Sequence, residues 1–159
     1  MTRATFHGSS YAVNGEHLFP DALWDTYRAA ADRIVPPDDY PGAWEAGAGA
    51  FLEQQLGGDL AHLRAPVAEG LGAIEAEAQR TAGSGFADLE VEEQDRVLSF
   101  LERSEDDRVR MNVTLIIDLT LDGYYANPEN GGNLNEASWK MIGYTRRPGR
   151  RPAARGSTG

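Results

Sequence analysis

Apolar side chains recur at steps of three and four along most of this chain, which is the pattern of amphipathic α-helices. The pattern predicts about five helices, near residues 21–35, 43–56, 60–81, 91–103 and 106–121. The last of these contains the β-branched run VTLIID, whose propensity alone would favour a strand. Val109, Val113, Ile116 and Thr120 nevertheless keep the helical step. The chain is therefore expected to be all-α and to form one domain.

Prolines, glycines and a candidate cap set the predicted helix ends. Asp21 follows a proline and is a candidate N-cap of the first helix, which Pro36 and the next proline must stop. Residues 57–58 are both glycine and predict a left-handed cap at the end of the second helix. Between the third and fourth helices, Phe86 and Leu89 are expected to reach into the core from a loop.

The periodicity ends after Gly123, where glycine, asparagine and aromatic residues become frequent. Such a composition predicts an ordered irregular segment, with one short helical turn near residues 136–141. Tyrosine, tryptophan and methionine are enriched at protein–protein hot spots, so the segment is a candidate contact surface. Alternatively, some of the rings cap the helical core. The candidate partner-contacting residues are Tyr124, Tyr125, Asn127, Pro128, Gly131, Gly132, Asn133, Trp139 and Tyr144.

Charge is distributed unevenly, and it suggests an N-terminal extension (1–19), a helical domain (20–145) and a basic tail (146–159). The tail carries five arginines and no acid, so the preceding residues hold ten basic and 25 acidic side chains, a balance of −15. A domain this acidic repels phosphate backbones, so nucleic acid is not an expected partner. The tail is either an arm for an acidic partner or RNA, or a disordered solubilising end, which its composition favours.

Catalytic and cofactor motifs are absent from the sequence. Without cysteine there is no disulfide, thiolate metal site or covalent haem attachment. His7, His17 and His62 lack metal-ligand spacing, and there is no nucleophile elbow, dinucleotide fingerprint or P-loop. We therefore predict no catalytic, cofactor-binding or metal-binding residue in this chain. No apolar run approaches the roughly 20 residues of a membrane span.

One oxygen-rich cluster leaves a metal-binding module open as an alternative. Hard cations such as calcium take oxygen ligands from loops of this kind. The spacing departs from the calcium-loop pattern, and asparagine and glycine are also the residues that tight turns require. The cluster consists of Asp122, Asn127, Glu129, Asn130, Asn133 and Asn135.

Four stretches resemble the small subunit of gluconate 2-dehydrogenase-type complexes. They are ADRIVPPDDYPGAWEAG (31–47), GLGAIEAEA (70–78), FADLEVEEQDRVLSFLE (86–102) and TLDGYYANPENGGNLNEASWKMIGY (120–144). The last stretch is the most specific, because it orders GYY, a proline, GGN, a tryptophan and a closing GY.

The resemblance implies a helical accessory subunit without a cofactor of its own. Its partner would be a large flavoprotein of the glucose–methanol–choline (GMC) type, which holds FAD and oxidises a sugar or sugar acid. A haem subunit that accepts electrons completes some of these complexes. A different interpretation is a dissociable chaperone for assembly or export of the flavoprotein.

The sequence departs from the family at both ends. Many members begin with a twin-arginine signal, which is missing here, so a cytoplasmic complex is expected; a periplasmic one would follow if such a signal had been removed. The arginine-rich tail also differs, and no family role is transferred to it.

Overall fold

The computed structural model describes residues 18–126 and 132–142, and within these ranges it contains six α-helices and no β-strand. The all-α, single-domain prediction is confirmed. The helices are α1 (Asp21–Ile34), α2 (Ala48–Gly57), α3 (Arg64–Ala82), α4 (Val91–Glu102), α5 (Asp107–Tyr124) and α6 (Ala137–Met141). Short 3₁₀ turns lie at Ala61–Leu63, Phe86–Asp88 and Leu134–Glu136.

The β-branched run is helical, as its spacing predicted. The N-cap of α5 is Asp106, whose carboxylate accepts hydrogen bonds from the backbone N–H groups of Arg108 at 2.9 Å and Val109 at 3.3 Å. This bonding satisfies donors that a helix start otherwise leaves unpaired. The periodic face of α5 is buried, including Val113 and Ile116. Burial of that face therefore outweighs the intrinsic strand preference of the run.

Several predicted helix ends are wrong. The helix α3 begins at Arg64 rather than near residue 60, and α5 continues to Tyr124 rather than ending near residue 121. The helix α2 begins at Ala48 rather than Ala43, because Gly47 has a φ of +93° and ends a separate turn. Gly58 is not left-handed, with a φ of −125°. Asp21 is the first residue of α1 and not its N-cap; Pro20 occupies the cap position, and no side chain caps this helix.

The core lies among α1, α3, α4 and α5, with α2 packed against α5. Trp24 and Tyr27 of α1 are fully buried, and their rings meet edge to face at 6.0 Å. The hydroxyl of Tyr27 shares a 3.0 Å hydrogen bond with that of Thr120, so a polar pair inside the core is satisfied. Phe86 and Leu89 reach the core from the loop, as predicted.

Candidate partner interface

The last turn of α5 is built on close backbone approaches at two glycines. A β-carbon at position 123 would lie 2.7 Å from Cδ1 of Phe51, and one at position 132 would lie 2.2 Å from the carbonyl oxygen of Gly123. Real β-carbons essentially never approach other atoms so closely, so a larger residue at either position would force its neighbours to shift. The GYY and GGN motifs of the sequence therefore meet through their backbones.

Asn133 links the returning segment to the end of α5. Its side-chain amide donates to the carbonyl oxygen of Ala126 at 2.9 Å, while its side-chain oxygen accepts from the backbone N–H and the hydroxyl of Ser138, at 2.9 and 2.7 Å. Asn133 is fully buried, so its two bonds with Ser138 are shielded from water, whereas the bond to Ala126 is partly buried. The side chain holds the end of α5 and the start of α6 in one arrangement.

Tyr124 connects the same region to the turn between α1 and α2. Its hydroxyl donates to the carbonyl oxygen of Pro41 at 3.1 Å and lies 3.8 Å from the sulfur of Met141. Only 1% of the residue is exposed. Burial raises the pKa of the phenol above its ordinary value, and the neighbouring Tyr125 and Asp38 add to the rise. The phenol therefore acts as a neutral hydrogen-bond donor at physiological pH.

A backbone hydrogen bond also joins the returning segment to the residues just before α2. The N–H of Leu134 donates to the carbonyl oxygen of Ala46 at 2.7 Å. The backbone around it is strained. Asn133, Asn135 and Glu136 have φ values of 48°, 57° and 56°, in the left-handed region that non-glycine residues rarely adopt. Such strain persists only where surrounding contacts impose it, and it is concentrated at functional sites.

Four large apolar side chains remain exposed on the segments that meet here. Each is next in sequence to a residue whose contact has just been described: Tyr40 to Pro41, Tyr125 to Tyr124, Leu134 to Asn133, and Ile142 to Met141. We call this set the α5-end surface; its members are Tyr40, Tyr125, Leu134 and Ile142. Exposed large apolar residues on segments that are held together in this way are candidates for a protein-binding site.

The structure places the predicted contact residues in three different settings. Tyr125 is 45% exposed and Trp139 is half-buried, so both can reach a partner. Tyr124, Gly132 and Asn133 are buried within the chain. Their contacts are used inside the chain to shape the surface, as the core-capping alternative allowed for some of the rings. Asn127, Pro128, Gly131 and Tyr144 lie outside the described residues.

The sequence prediction omitted Tyr40, Leu134 and Ile142. Tyr40 follows two acidic residues and precedes Pro41, in a stretch that was used only as part of the resemblance. Leu134 is an apolar residue between two asparagines, which is the signal that could have identified it. None of these positions follows a periodic face that would reveal exposure.

The metal alternative loses one ligand, because the side-chain oxygen of Asn133 already accepts two bonds from Ser138. Across residues 18–126 and 132–142, no group of three histidine or acidic side chains could hold a metal ion. In the same part of the chain, none of the helices combines the length and apolar character needed to cross a membrane.

Comparison with known proteins identifies one family. Its model, Gluconate 2-dehydrogenase subunit 3, matches residues 21–149, from the first residue of α1 past the α5-end surface. No curated protein and no solved structure matches the chain. The family match spans most of the 159 residues and includes both motifs that meet at Gly123. The chain therefore belongs to the gluconate 2-dehydrogenase subunit 3 family.

Proposed function

We propose that this chain is the non-catalytic small subunit of a flavin-dependent dehydrogenase. It binds and stabilises a large GMC-type flavoprotein that oxidises a sugar or sugar acid, and a haem subunit that accepts electrons is a further candidate member of the complex. FAD is assigned to the large subunit, because this chain has no glycine-rich phosphate motif in its sequence. The family, which is that of a dehydrogenase subunit, supports the assignment.

The observation that carries the proposal is the α5-end surface. Its rings and aliphatic side chains are exposed, although the backbone beneath them is fixed by Gly123, Gly132 and Asn133. A preformed apolar surface loses little conformational entropy on binding, so more of the burial free energy is retained as affinity.

The surface is the centre of a larger contact. Permanent complexes bury about 2,000 Å² or more, which four side chains cannot supply alone. Energetic hot spots nevertheless cluster at the centre of such interfaces, and aromatic residues are prominent among them. Tyr125 and Leu134 are the expected hot spots here, since both are exposed and both stand on the fixed part of the segment.

The test is recovery of flavin with an affinity-tagged chain purified from its native host. Replacing Tyr125 and Leu134 together by alanine is expected to weaken binding by about 2 kcal/mol, or about thirtyfold. The matched control is Met111→Ala, which removes a side chain that is 67% exposed in the middle of α5. Its position is about 20 Å from Tyr125 along the helix, so flavin recovery should be unchanged.

Undiminished flavin recovery with the double variant, at an unchanged helical circular dichroism signal, would overturn this assignment of the surface. Stoichiometry distinguishes the proposed subunit from a dissociable chaperone. A subunit co-purifies as a yellow complex of fixed ratio, whereas a chaperone is recovered mainly as a colourless free chain.

A further inference from the structure

An apolar groove opens on the body where side chains of α1, α4 and α5 meet. Its volume is about 500 Å³. Five apolar side chains line it, and all except Leu98 are at least partly exposed to solvent: Ile34, Pro36, Leu98, Ile117 and Leu121. Half-exposed apolar side chains that lie together in a groove form a surface that a further polypeptide segment can cover.

Acidic side chains surround this apolar lining. Glu102 lines the groove, and Asp118 and Asp122 each directly follow one of the lining residues of α5. All three are exposed, and none forms an ion pair with another residue of the ranges 18–126 and 132–142. We call the five apolar side chains and these three acids the α1–α4–α5 groove.

The cations of the body do not balance these acids. Among the described residues that line the groove, Arg33 is the only base, and its guanidinium donates to both carboxylate oxygens of Asp95, at 2.9 and 3.3 Å. Residues 111–126 contain no arginine or lysine. Arg96 and Arg103 lie on another face of α4 and line a neighbouring depression. With Asp95 included, four acids therefore stand at the groove against one arginine.

The helix that carries two of the acids is not stabilised by them. Asp122 lies in the last turn of α5, whose end carries partial negative charge and is stabilised by cations rather than by anions. Glu102 is likewise the last residue of α4, but there the C-cap residue, Arg103, can offset it. The last turn of α5 has no basic residue. Helix stability therefore does not account for the acids of α5, whereas a cationic ligand would.

A segment of suitable charge belongs to the same chain. The basic tail, residues 146–159, carries five arginines and no acid. Arginine binds carboxylates through paired hydrogen bonds, and its aliphatic stem can cover apolar surface. Prolines lie among the arginines and add apolar rings without a backbone donor, in the order Arg146, Arg147, Pro148, Arg150, Arg151, Pro152 and Arg155.

The chain comes close to the groove before the basic tail begins. The sulfur of Met141 lies 3.8 Å from the hydroxyl of Tyr124, and Leu121 of the groove is about one helical turn earlier in α5. Residues 143–150 can span about 26 Å when extended. The middle of the basic tail is therefore within reach of the groove.

We propose that the basic tail binds the α1–α4–α5 groove of its own chain. Its arginines pair with Glu102, Asp118 and Asp122, and a proline covers the apolar lining. Covalent attachment raises the effective concentration of the tail at the groove to about the millimolar range, so individually weak contacts suffice. A bound tail would lie beside the α5-end surface, because Asp122 and Tyr125 are three residues apart on one helix face. The proposal does not rest on the proposed function.

The test is paramagnetic broadening of nuclear magnetic resonance signals in the full chain. The chain has no cysteine, so Ser157→Cys takes a single nitroxide label just beyond the last arginine. We expect the backbone amide signals of Ser99 and Ile117, which line the groove, to lose most of their intensity. The signal of Gly72, on the exposed side of α3, should keep its intensity. High salt should restore the lost signals, because the paired charges are exposed.

Charge reversals test each side of the contact in the labelled chain. Arg150→Glu combined with Arg151→Glu lies outside the helical domain and should abolish the selective broadening, because the tail is then repelled by the groove. Glu102→Lys should also reduce the broadening. The matched control is Asp59→Lys, which makes the same change of charge at an exposed position in the turn after α2 and should have no effect.

Equal broadening of the Ser99, Ile117 and Gly72 signals would overturn the proposal, as would selective broadening that survives reversal of the two tail arginines. Mixing a labelled chain with an unlabelled, isotope-enriched chain gives a further check. Broadening of the groove signals in the unlabelled chain would mean that the tail binds a second copy, and the proposal would fail. None of these measurements involves flavin recovery, so failure here is distinguishable from failure of the proposed function.

Discussion

The helical body and the end of α5 are assembled from different kinds of contact. In the body, large side chains such as Trp24, Tyr27 and Ile74 fill the space between helices. At the end of α5 the space is removed instead, because Gly123 and Gly132 bring backbones together. Side chains there act mainly through hydrogen bonds to backbone groups, as Asn133 does with the carbonyl oxygen of Ala126 and the N–H of Ser138.

The difference explains how one small chain can combine a stable helical body with exposed apolar side chains on a fixed base. Apolar burial is non-directional and tolerates some repacking, so it supplies most of the stability of the body. Hydrogen bonds and glycine contacts are directional and fix the position of a surface without covering it. As a result, Tyr125 and Leu134 remain exposed on a well-ordered base.

The largest expected effect is on the stability of the helical body. Trp24 is fully buried and its ring lies 5.3 Å from that of Phe19 and 6.0 Å from that of Tyr27. Trp24→Ala should lower the free energy of unfolding by about 3–5 kcal/mol, through lost transfer free energy and the cavity left behind. Denaturant unfolding followed by circular dichroism measures this loss. A change below 1 kcal/mol would mean that the aromatic cluster is not the source of the body's stability.

A smaller and more local effect is expected at Asn133. Asn133→Ala removes two buried hydrogen bonds and one partly buried bond and should cost about 1–3 kcal/mol, with much faster hydrogen exchange at the backbone amide of Ser138. Asn133→Gly loses the same bonds but accepts the φ of 48° without strain. The alanine variant should therefore be the less stable of the two.

Comparison with Trp24→Ala then tests whether the two regions are separate. If Asn133→Ala accelerates exchange at Ser138 but leaves the amides of α3 protected, the end of α5 opens as its own unit. Equal acceleration in both places would show a single cooperative structure, and the contrast between the regions would fail.

The sequence predicted the body better than the surface, for a physical reason. Helical periodicity reports a burial pattern within one segment, so α3 and α5 were predicted from their apolar faces. Periodicity carries no information about the backbone angle φ. For this reason the left-handed Gly47 was included in the predicted second helix. Contacts such as that between Gly123 and Gly132 join backbones that are distant along the chain, and no local pattern predicts them.

The two adjacent tyrosines show where the sequence could have been used further. The buried face of α5 passes through Ile116 and Thr120, and one more step of four reaches Tyr124. Helical phase therefore places Tyr124 inward and Tyr125 outward, as the structure has them. Treating both rings as one patch concealed this distinction. Composition identified the segment as a candidate contact surface, but helical phase was needed to identify the exposed ring.

The sharpest comparison between the regions uses the same substitution in each. Gly123→Ala places a β-carbon 2.7 Å from the Phe51 ring, and overpacking of this kind costs about 1–3 kcal/mol. Gly72 lies on the exposed side of α3, and a β-carbon there would meet nothing within 4 Å. Gly72→Ala should therefore stabilise the chain by about 0.5–1 kcal/mol, because alanine restricts the unfolded state and favours the helix.

Opposite signs in thermal unfolding of these two variants would show that glycine at position 123 is required by tertiary contact rather than by helix propensity. Gly123→Ala should also lower flavin recovery with the tagged chain, because Gly132 and the segment that carries Leu134 pack on the altered turn. Gly72→Ala should leave recovery unchanged. Stabilisation by both substitutions would mean that the Phe51 ring moves aside easily, and the rigid base assigned to the α5-end surface would have to be abandoned.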